Sequence, residues 1–415
     1  MKPTTNTRRE FLLQLGAMGA FAAFPGRLPA ISHLGPKKPR AIVAIYLRGG
    51  ADWLNMVIPW KDKDYISSRP TIRLGAEQGV VPLDSRFGLH PALSPLAPLY
   101  EEKQFAPVLC VGSPHGTRSH FDAQDFMERA APGLRNITSG WLNRYLTTAQ
   151  TKDSSEFRAL AMQELLPRSL RGDYPALAVP TSMDKKKGSK TLDRFEQFYG
   201  DGSMMNDRTL KGSDNDEEVV QSGRMTIDTL RRFQEITAAA KPESSSRYPN
   251  SKFGKRLQTI ATVIKAQCGL EVAALDYTGW DHHIGQGGLE GRHNTMLSDY
   301  AQSLAAFSSD LGALMNDTLV VTMTEFGRTV RENGNAGTDH GRGGGVFLLG
   351  GGVKGGKIYG EWRGLKPEAL AEGRDLPVTT DFRDVMASCL KDSLNCKLPK
   401  DFFPGYKPNR LKLFA

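Results

Sequence analysis

The chain has 415 residues, room for one large domain with insertions or for two domains. Hydrophobic residues make up 39% and charged residues 24%, an ordinary globular balance. The net charge of +9 falls to +6 once residues 1–30 are set aside, with 50 basic and 44 acidic side chains remaining, which does not point to a nucleic-acid partner.

The N-terminal stretch "TRREFLLQLGAMGAFAAFPGRLPA" carries Arg8 and Arg9, then Phe11 and Leu12, then a weakly apolar Gly/Ala run. The fourteen residues from Phe11 to Phe24 are too few to span a bilayer. This stretch resembles a twin-arginine export signal over residues 1–30, with cleavage after Ala30. The resemblance implies passage through the twin-arginine translocase to the periplasm or cell envelope, already folded and often with a metal or cofactor in place. No cysteine follows the apolar run, which argues against a lipoprotein anchor, and no later segment is long and apolar enough to cross a membrane.

Further along, "RAIVAIYL" (40–47) reads as a buried strand ending in the tight loop "RGGAD". "HPALSPLAPLYEE" reads as a helix limited by Pro95 and Pro98. "FAPVLCVGS" is a second strand, and "SHFDAQDFMERAA" a helix with Ser119 in N-cap position. From 165 to 255 the texture turns polar, with helical stretches such as "TLDRFEQFY" and "EEVVQSGRMTIDTLRRFQEITAAA". We expect a largely helical insertion or lid there, between core segments 31–164 and 256–415. "FGKRLQTIATVIKAQ" is a helix leading back to the strands "LEVAALDY", "DTLVVTMTEFG" and "GVFLLGG", with helices at "MLSDYAQSLAAFSSDLGALM" and "TTDFRDVMASCLKD". Strands alternating with helices imply an α/β fold: a mostly parallel sheet covered on both faces, with ligands beyond the carboxyl ends of its strands.

The four cysteines show no CxxC spacing, so a zinc ribbon or thioredoxin-like site is not expected. Pairing of Cys389 with Cys396 stays open: one continuous helix would hold them too far apart, and a break at Asn395 would bring them closer. Four loops at strand ends carry the chemistry: "RGGADWLN" with Asp52, "TRSHFDAQD" with Ser119 and His120, "GWDHHIGQ" with Asp281, His282 and His283, and the stretch 325–340. They gather five of the eight histidines, counting His115 and His340. Carboxylate and imidazole together suit zinc or a similar divalent ion. In any one loop such a residue is as readily a turn-stabilising hydrogen bond; several at one sheet edge point to a site.

"TRREFL", "LRGGADWLN", "FGLHPAL", "TRSHFDAQDFME", "GWLNRYL", "GWDHHIGQ", "TEFGRT", "GTDHGRGGGVFLLG" and "FFPG" together resemble the exported DUF1501 family, along nearly the whole chain. That family looks like a branch of the alkaline phosphatase and sulfatase superfamily. The implied fold is an alkaline-phosphatase-like, mostly parallel sheet with helices on both faces. In that superfamily a strand such as "TLVVTMT" runs into an Asp-His-Gly that binds a second metal; here it runs into Glu325-Phe326-Gly327, and Phe326 has no lone pair to offer. The superfamily's last metal histidine instead precedes a strand and a glycine-rich turn, the place of His340.

The resemblance thus implies a metal site of Asp281, His283 and His340, with His282 as alternate to His283. A second site would rest on Asp52 and Glu325, with Asp339 or His120 as substitute. One or two divalent ions are implied, zinc first, with manganese or calcium as alternatives. Ser119 is the expected nucleophile, with Thr117 in reserve and His120 and Arg328 beside it in catalytic roles. Arg48, Arg118 and Arg342 suit an anionic substrate. No Cys/Ser-x-Pro-x-Arg motif occurs, so formylglycine chemistry is not expected. The expected activity is hydrolysis of a phosphate or sulfate ester, such as a sulfated or phosphorylated saccharide. The other reading is an envelope binding protein on the same fold with a decayed site. Trp53, Trp141 and Trp280 are either core or a surface for sugar rings.

Overall fold

The computed structural model describes residues 40–149, 155–179, 215–239 and 247–415. The stretch that resembles an export signal, with Arg8 and Arg9, and the stretch "TLDRFEQFY" lie outside these residues. In chain order the strands are β1 (Ala41–Arg48), β2 (Val57–Ile58), β3 (Val81–Pro82), β4 (Gly88–Leu89), β5 (Phe105–Gly112), β6 (Ala159–Ala161), β7 (Leu177–Ala178), β8 (Val272–Thr278), β9 (Thr318–Met323), β10 (Gly344–Gly350) and β11 (Thr380–Asp381). The α-helices are α1 (Lys63–Ser68), α2 (Ala97–Glu101), α3 (His120–Arg129), α4 (Trp141–Thr148), α5 (Asn215–Ala239), α6 (Lys252–Lys265), α7 (Arg292–Leu311) and α8 (Phe382–Ser388).

Eight strands form one sheet in the order β11-β5-β10-β9-β1-β8-β6-β7. Every pairing in it is parallel except the two made by β10, which runs antiparallel to both β5 and β9. The fold is therefore α/β with a mostly parallel central sheet. The strands β2, β4 and β3 make a separate small sheet.

Period-2 alternation explains why β1 sits at the middle. Val43, Ile45 and Leu47 enter one apolar cluster with Leu257 and Ile260 of α6 and Leu297, Leu304 and Phe307 of α7. Ile42, Ala44 and Tyr46 enter the other, with Trp141, Leu142 and Leu146 of α4 and Val385 and Met386 of α8. A strand buried on both faces has to read as a continuous apolar run, and "AIVAIYL" does. Tyr46 meets its polar requirement inside this layer, because Trp141 Nε1 donates to its hydroxyl at 2.8 Å.

Local chemistry sets the element ends. Pro91 and Pro95 confine residues Pro91–Leu96 to 3-10 geometry before α2 begins. Ser251 caps α6 by accepting from the Gly254 amide at 2.9 Å, and Asp381 caps α8 in the same way from Arg383. Cys389 and Cys396 are both free thiols here; α8 ends in a π-turn over Cys389–Ser393, and Asn395 follows at φ +54°. Trp53, Trp141 and Trp280 are all core residues, so none of them offers a ring face to a ligand.

Candidate metal centre

The loops after β1, β5, β8 and β9 leave the sheet at one edge, and β10 enters at that same edge because it runs the opposite way. This reversal places His340 ahead of its strand while still bringing it to the carboxyl ends of the others. Gly49, just beyond β1, stands at φ +120°, and a Cβ there would lie 2.5 Å from the Asp281 amide nitrogen. Only glycine lets the β1 and β8 loops approach this closely.

His120, Asp281 and His340 form a cluster whose ligand atoms all lie within 4.8 Å of one another. His120 Nε2 is 3.3 Å from Asp281 Oδ2, and His340 Nε2 is 3.2 Å from Asp281 Oδ1. His283 joins them, its Nε2 lying 3.0 Å from Asp281 Oδ1 and 2.9 Å from His340 Nε2.

The opposite nitrogen of each ring is tied to an acceptor. His120 Nδ1 meets Glu325 Oε1 at 2.8 Å, His283 Nδ1 meets Asp339 Oδ1 at 3.0 Å, and His340 Nδ1 meets the Arg118 carbonyl at 2.8 Å. A carbonyl can only accept. Glu325 and Asp339 are likewise carboxylates. Burial works against the charge on Glu325, but hydrogen bonds from His120 and Gln124 outweigh it and lower the pKa; for Asp339 the Asn333 hydrogen bond leads the lowering. Each Nδ1–H thus has an acceptor, and the Nε2 atoms turn towards Asp281. Histidines that bind metals are held in this way.

Asp281 is anionic. Burial raises its pKa, but the hydrogen bond and charge of Arg328 overcome this and bring it down to about 2. Burial holds the His340 imidazole below its ordinary value. For His120 burial also favours the neutral ring, but the hydrogen bond and charge of Glu325, with Asp281, outweigh it and raise the pKa. The Nε2 atoms of His283 and His340 lie 2.9 Å apart, a spacing that suits either one shared proton or two donors on a common cation. Three imidazole nitrogens and a carboxylate are a donor set for zinc or a similar ion. Tetrahedral bonds of about 2.0–2.1 Å separate donor atoms by roughly 3.3 Å. Four of the separations here, 2.9 to 3.3 Å, come close to that value, and the ligand atoms of His120, Asp281 and His340 all lie within 4.8 Å of one another.

Several expected site residues do other work. Asp52 is not in this cluster: both its oxygens are taken by Arg69, at 2.5 and 2.9 Å, and Gln286 adds a third bond at 2.6 Å. Both Asp52 oxygens are thereby occupied, whereas Arg328 engages only Oδ1 of Asp281. Glu325 stands behind His120: its Oε1 accepts from Gly49 N, His120 and Gln124, each at 2.8 Å. His120, expected in a catalytic role, lies in the cluster with Asp281 and His340 that could hold a metal ion. Arg328 is buried and clamps the carbonyls of Gly49, Gly50, Trp280 and Thr338 while pairing with Asp281 at 2.6 Å; it faces the scaffold, not a substrate. Arg48 is spent on Glu128 and Asp276, and Arg118 on Asp375 and Glu372. Arg342 is held only loosely, 3.8 Å from Glu372 and 3.5 Å from the Pro114 carbonyl. Ser119 is exposed at the start of α3 with its hydroxyl making no capping bond, between Arg118 and His120; Thr117 Oγ1 accepts from the Ser119 amide.

Gln124, Asn333 and Arg374 were not expected. Gln124 lies one turn after His120, so the i,i+4 spacing in "HFDAQ" was a usable signal. Asn333 bonds both Asp339 and the His283 carbonyl, and Arg374 donates to the His340 carbonyl. Neither contact leaves a local pattern in the sequence.

His282 turns away from the cluster into the core. Its ring lies 5.5 Å from that of His293, which lies 6.0 Å from that of His90. Burial lowers the pKa of His282 and His90 to about 4 and that of His293 well below its ordinary value. In the unfolded chain these groups protonate near 6.5, so the unfolded state binds more protons as pH falls from about 6.5 to about 4. Stability is therefore expected to drop through that window, by up to about 1.4 kcal/mol per pH unit for each histidine. Urea midpoints compared between about pH 7 and about pH 5 check this, and an unchanged midpoint would contradict it.

No helix among the described residues is long and apolar enough to cross a membrane. Among solved structures, the fold is similar to the zinc complex of the C-terminal periplasmic domain of EcEptC from Escherichia coli, at 11% identity and a TM-score of 0.32, covering 78% of this chain and 77% of that one. It is similar to the PsFucS1 sulfatase from Pseudoalteromonas sp., at 12% identity and a TM-score of 0.38, with 88% and 70% covered. It is also similar to the phosphonate monoester hydrolase SpPMH from Silicibacter pomeroyi, at 11% identity and a TM-score of 0.37, with 91% and 78% covered. These are distant likenesses, and the site has to be read from its own residues. A search of curated proteins gives no match. A protein-family profile does match, over residues 104–393, a span that includes His120, Asp281, His283, Glu325 and His340, and the chain belongs to that family, described as protein of unknown function DUF1501.

Proposed function

We propose that the protein is an exported, metal-dependent hydrolase of phosphate or sulfate esters, with one divalent ion held by His120, Asp281, His283 and His340. The carrying observation is the pair of imidazole Nε2 atoms 2.9 Å apart over an ionised Asp281, each ring fixed from behind. Zinc suits the donor set best. An ion bound there would polarise an ester oxygen and acidify a nearby hydroxyl.

Ser119 is the candidate nucleophile. It stands at the N-terminus of a ten-residue helix, where the dipole and free amide donors favour developing negative charge. Arg342 is the arginine freest to hold non-bridging oxygens. We read Arg8 and Arg9 as part of a twin-arginine signal that delivers the folded protein to the periplasm or envelope.

One observation favours the second reading, a metal-binding envelope protein without turnover. Phe326, directly after Glu325, sets its ring at a tilt 4.8 Å from that of His120 and 4.9 Å from that of His340. With Asp52 and Glu325 both engaged elsewhere, a second ion has no donor set among the described residues.

Metal analysis of the purified protein, followed by a screen of aryl phosphates, phosphodiesters and sulfates, separates the readings. We expect about one equivalent of metal and turnover that a chelator abolishes. Metal without turnover would favour the binding protein, and neither metal nor uptake of zinc, manganese or calcium would refute both.

A further inference from the structure

Asp375 is a fully buried carboxylate that reaches two arginines at once. Its Oδ2 accepts from Arg118 Nε at 3.1 Å and Nη2 at 2.6 Å, and its Oδ1 accepts from Arg374 Nε at 2.9 Å. Both arginines end on the same histidine. The Arg118 carbonyl accepts from His340 Nδ1 at 2.8 Å, and Arg374 Nη2 donates to the His340 carbonyl. His340 is thus held by its ring from one arginine and by its main chain from the other, while its Nε2 stands 3.2 Å from Asp281 Oδ1.

The segment that carries Arg118 has little else to fix it. Residues 114–118 lie between β5 and α3, and none of them makes a backbone–backbone hydrogen bond among the described residues. The amides of His115 and Thr117 bond instead to the side chains of Ser113 and His115, two positions back. Such local bonds shape a loop without tying it to the rest of the molecule. Its polar contacts with distant residues are those of Arg118 with Asp375, Glu372 and His340, and a 3.5 Å bond from Arg342 to the Pro114 carbonyl. Glu372 is exposed, so its pair with Arg118 is screened by water. The Asp375 carboxylate is out of water and depends on its guanidinium partners, which makes this pair the loop's anchor.

Asp375 does not need its own side chain to stay in place. Its amide bonds to the Ala371 carbonyl at 3.0 Å, the Arg374 carbonyl accepts from the Val330 amide, and the Leu376 carbonyl accepts from the Gly343 amide. What the carboxylate adds is the placing of two guanidinium groups that would otherwise repel each other. Glu325 and Asp339 back His120 and His283 directly; behind His340 stands a carbonyl, and the carboxylate acts at one remove, through arginine.

We propose that Asp375 is a positioning residue of the metal centre: through Arg118 and Arg374 it holds His340 in place beside Asp281, and through Arg118 it sets the loop that leads to Ser119 and His120. The assignment rests on the metal-binding reading and extends it to a residue that touches none of the four converging side chains except through arginine.

The test is the zinc affinity of the purified protein, measured by competition with a chromophoric chelator, together with the visible spectrum of its cobalt-loaded form. Asp375→Asn should bind zinc about tenfold more weakly, the lower end of the range for groups behind metal histidines, and should shift the cobalt bands. Arg374→Gln should do the same. A carboxylate that only held the fold together would lower the urea midpoint and leave zinc affinity and the cobalt spectrum native. That result in both variants would overturn the positioning role while the native protein still bound its metal. Were Asp375→Asn not to fold, Arg374→Gln decides alone, because its side chain is half exposed. If the native protein took up no zinc, or His340→Ala bound it as tightly, the metal reading would fall and the positioning role with it.

Discussion

Replacing Arg69 by methionine should destabilise the protein by about 3–5 kcal/mol, the largest effect we expect from a single change outside the centre. Arg69 is fully buried, and all of its guanidinium contacts are internal. Two nitrogens pair with Asp52, one also meets Asn55 at 2.8 Å, and the Val330 and Thr329 carbonyls each accept at 2.9 Å. Removing it leaves the Asp52 carboxylate in the core without a countercharge, where desolvation is no longer offset. Burial alone would raise the Asp52 pKa, yet the charge and hydrogen bonds of Arg69 hold it below the ordinary value, so the carboxylate is charged at neutral pH. Asp52→Asn should cost less, because Arg69 keeps its neutral acceptors. The double variant should recover part of the loss, as expected for directly coupled groups.

The same variants decide what Asp52 is for. As a structural anion it ties the β1 loop to residues 329–330 beyond β9, and Asp52→Asn should keep its full metal content while its urea midpoint falls. Loss of bound metal with an unchanged midpoint would return Asp52 to the ligand set.

Asp52 also marks where sequence reasoning stops. An aspartate just past a buried strand is a reasonable ligand, and nothing in "SSRPTIRL" distinguishes Arg69 from a surface arginine. Only tertiary folding reveals the pair. Asp281, His283 and His340 were legible because each sits at a strand end among glycines, and the five long strands were legible as unbroken apolar runs. The direction of β10 was not, since an apolar strand reads alike either way, yet that direction carries His340 to the site. β6 and β7, at three and two residues, are too short to show a period. The placement of Glu325 behind His120 was hidden for a comparable reason. Ligand and supporting carboxylate have the same chemistry in a sequence, and the three hydrogen bonds to Glu325 Oε1 that separate them come from distant segments.

That placement yields the prediction with the largest functional effect. His340→Ala removes a donor and should abolish tight metal binding without unfolding the protein, because the ring is only partly buried and the strand behind it is intact. Glu325→Gln keeps every ligand and should weaken metal affinity about tenfold to a hundredfold, the range for supporting carboxylates of metal histidines. The metal-free protein offers a second readout. The Glu325 hydrogen bond and charge outweigh burial and raise the His120 pKa, so Glu325→Gln should move its NMR titration downwards. In the native protein the elevated His120 pKa makes a proton compete with the ion, so affinity should fall as pH drops and uptake should release protons. If Glu325→Gln abolished binding as completely as His340→Ala, Glu325 would be a ligand. If both variants kept full affinity, the four converging residues would not be the metal site, and the hydrolase reading would lose the geometry on which it rests.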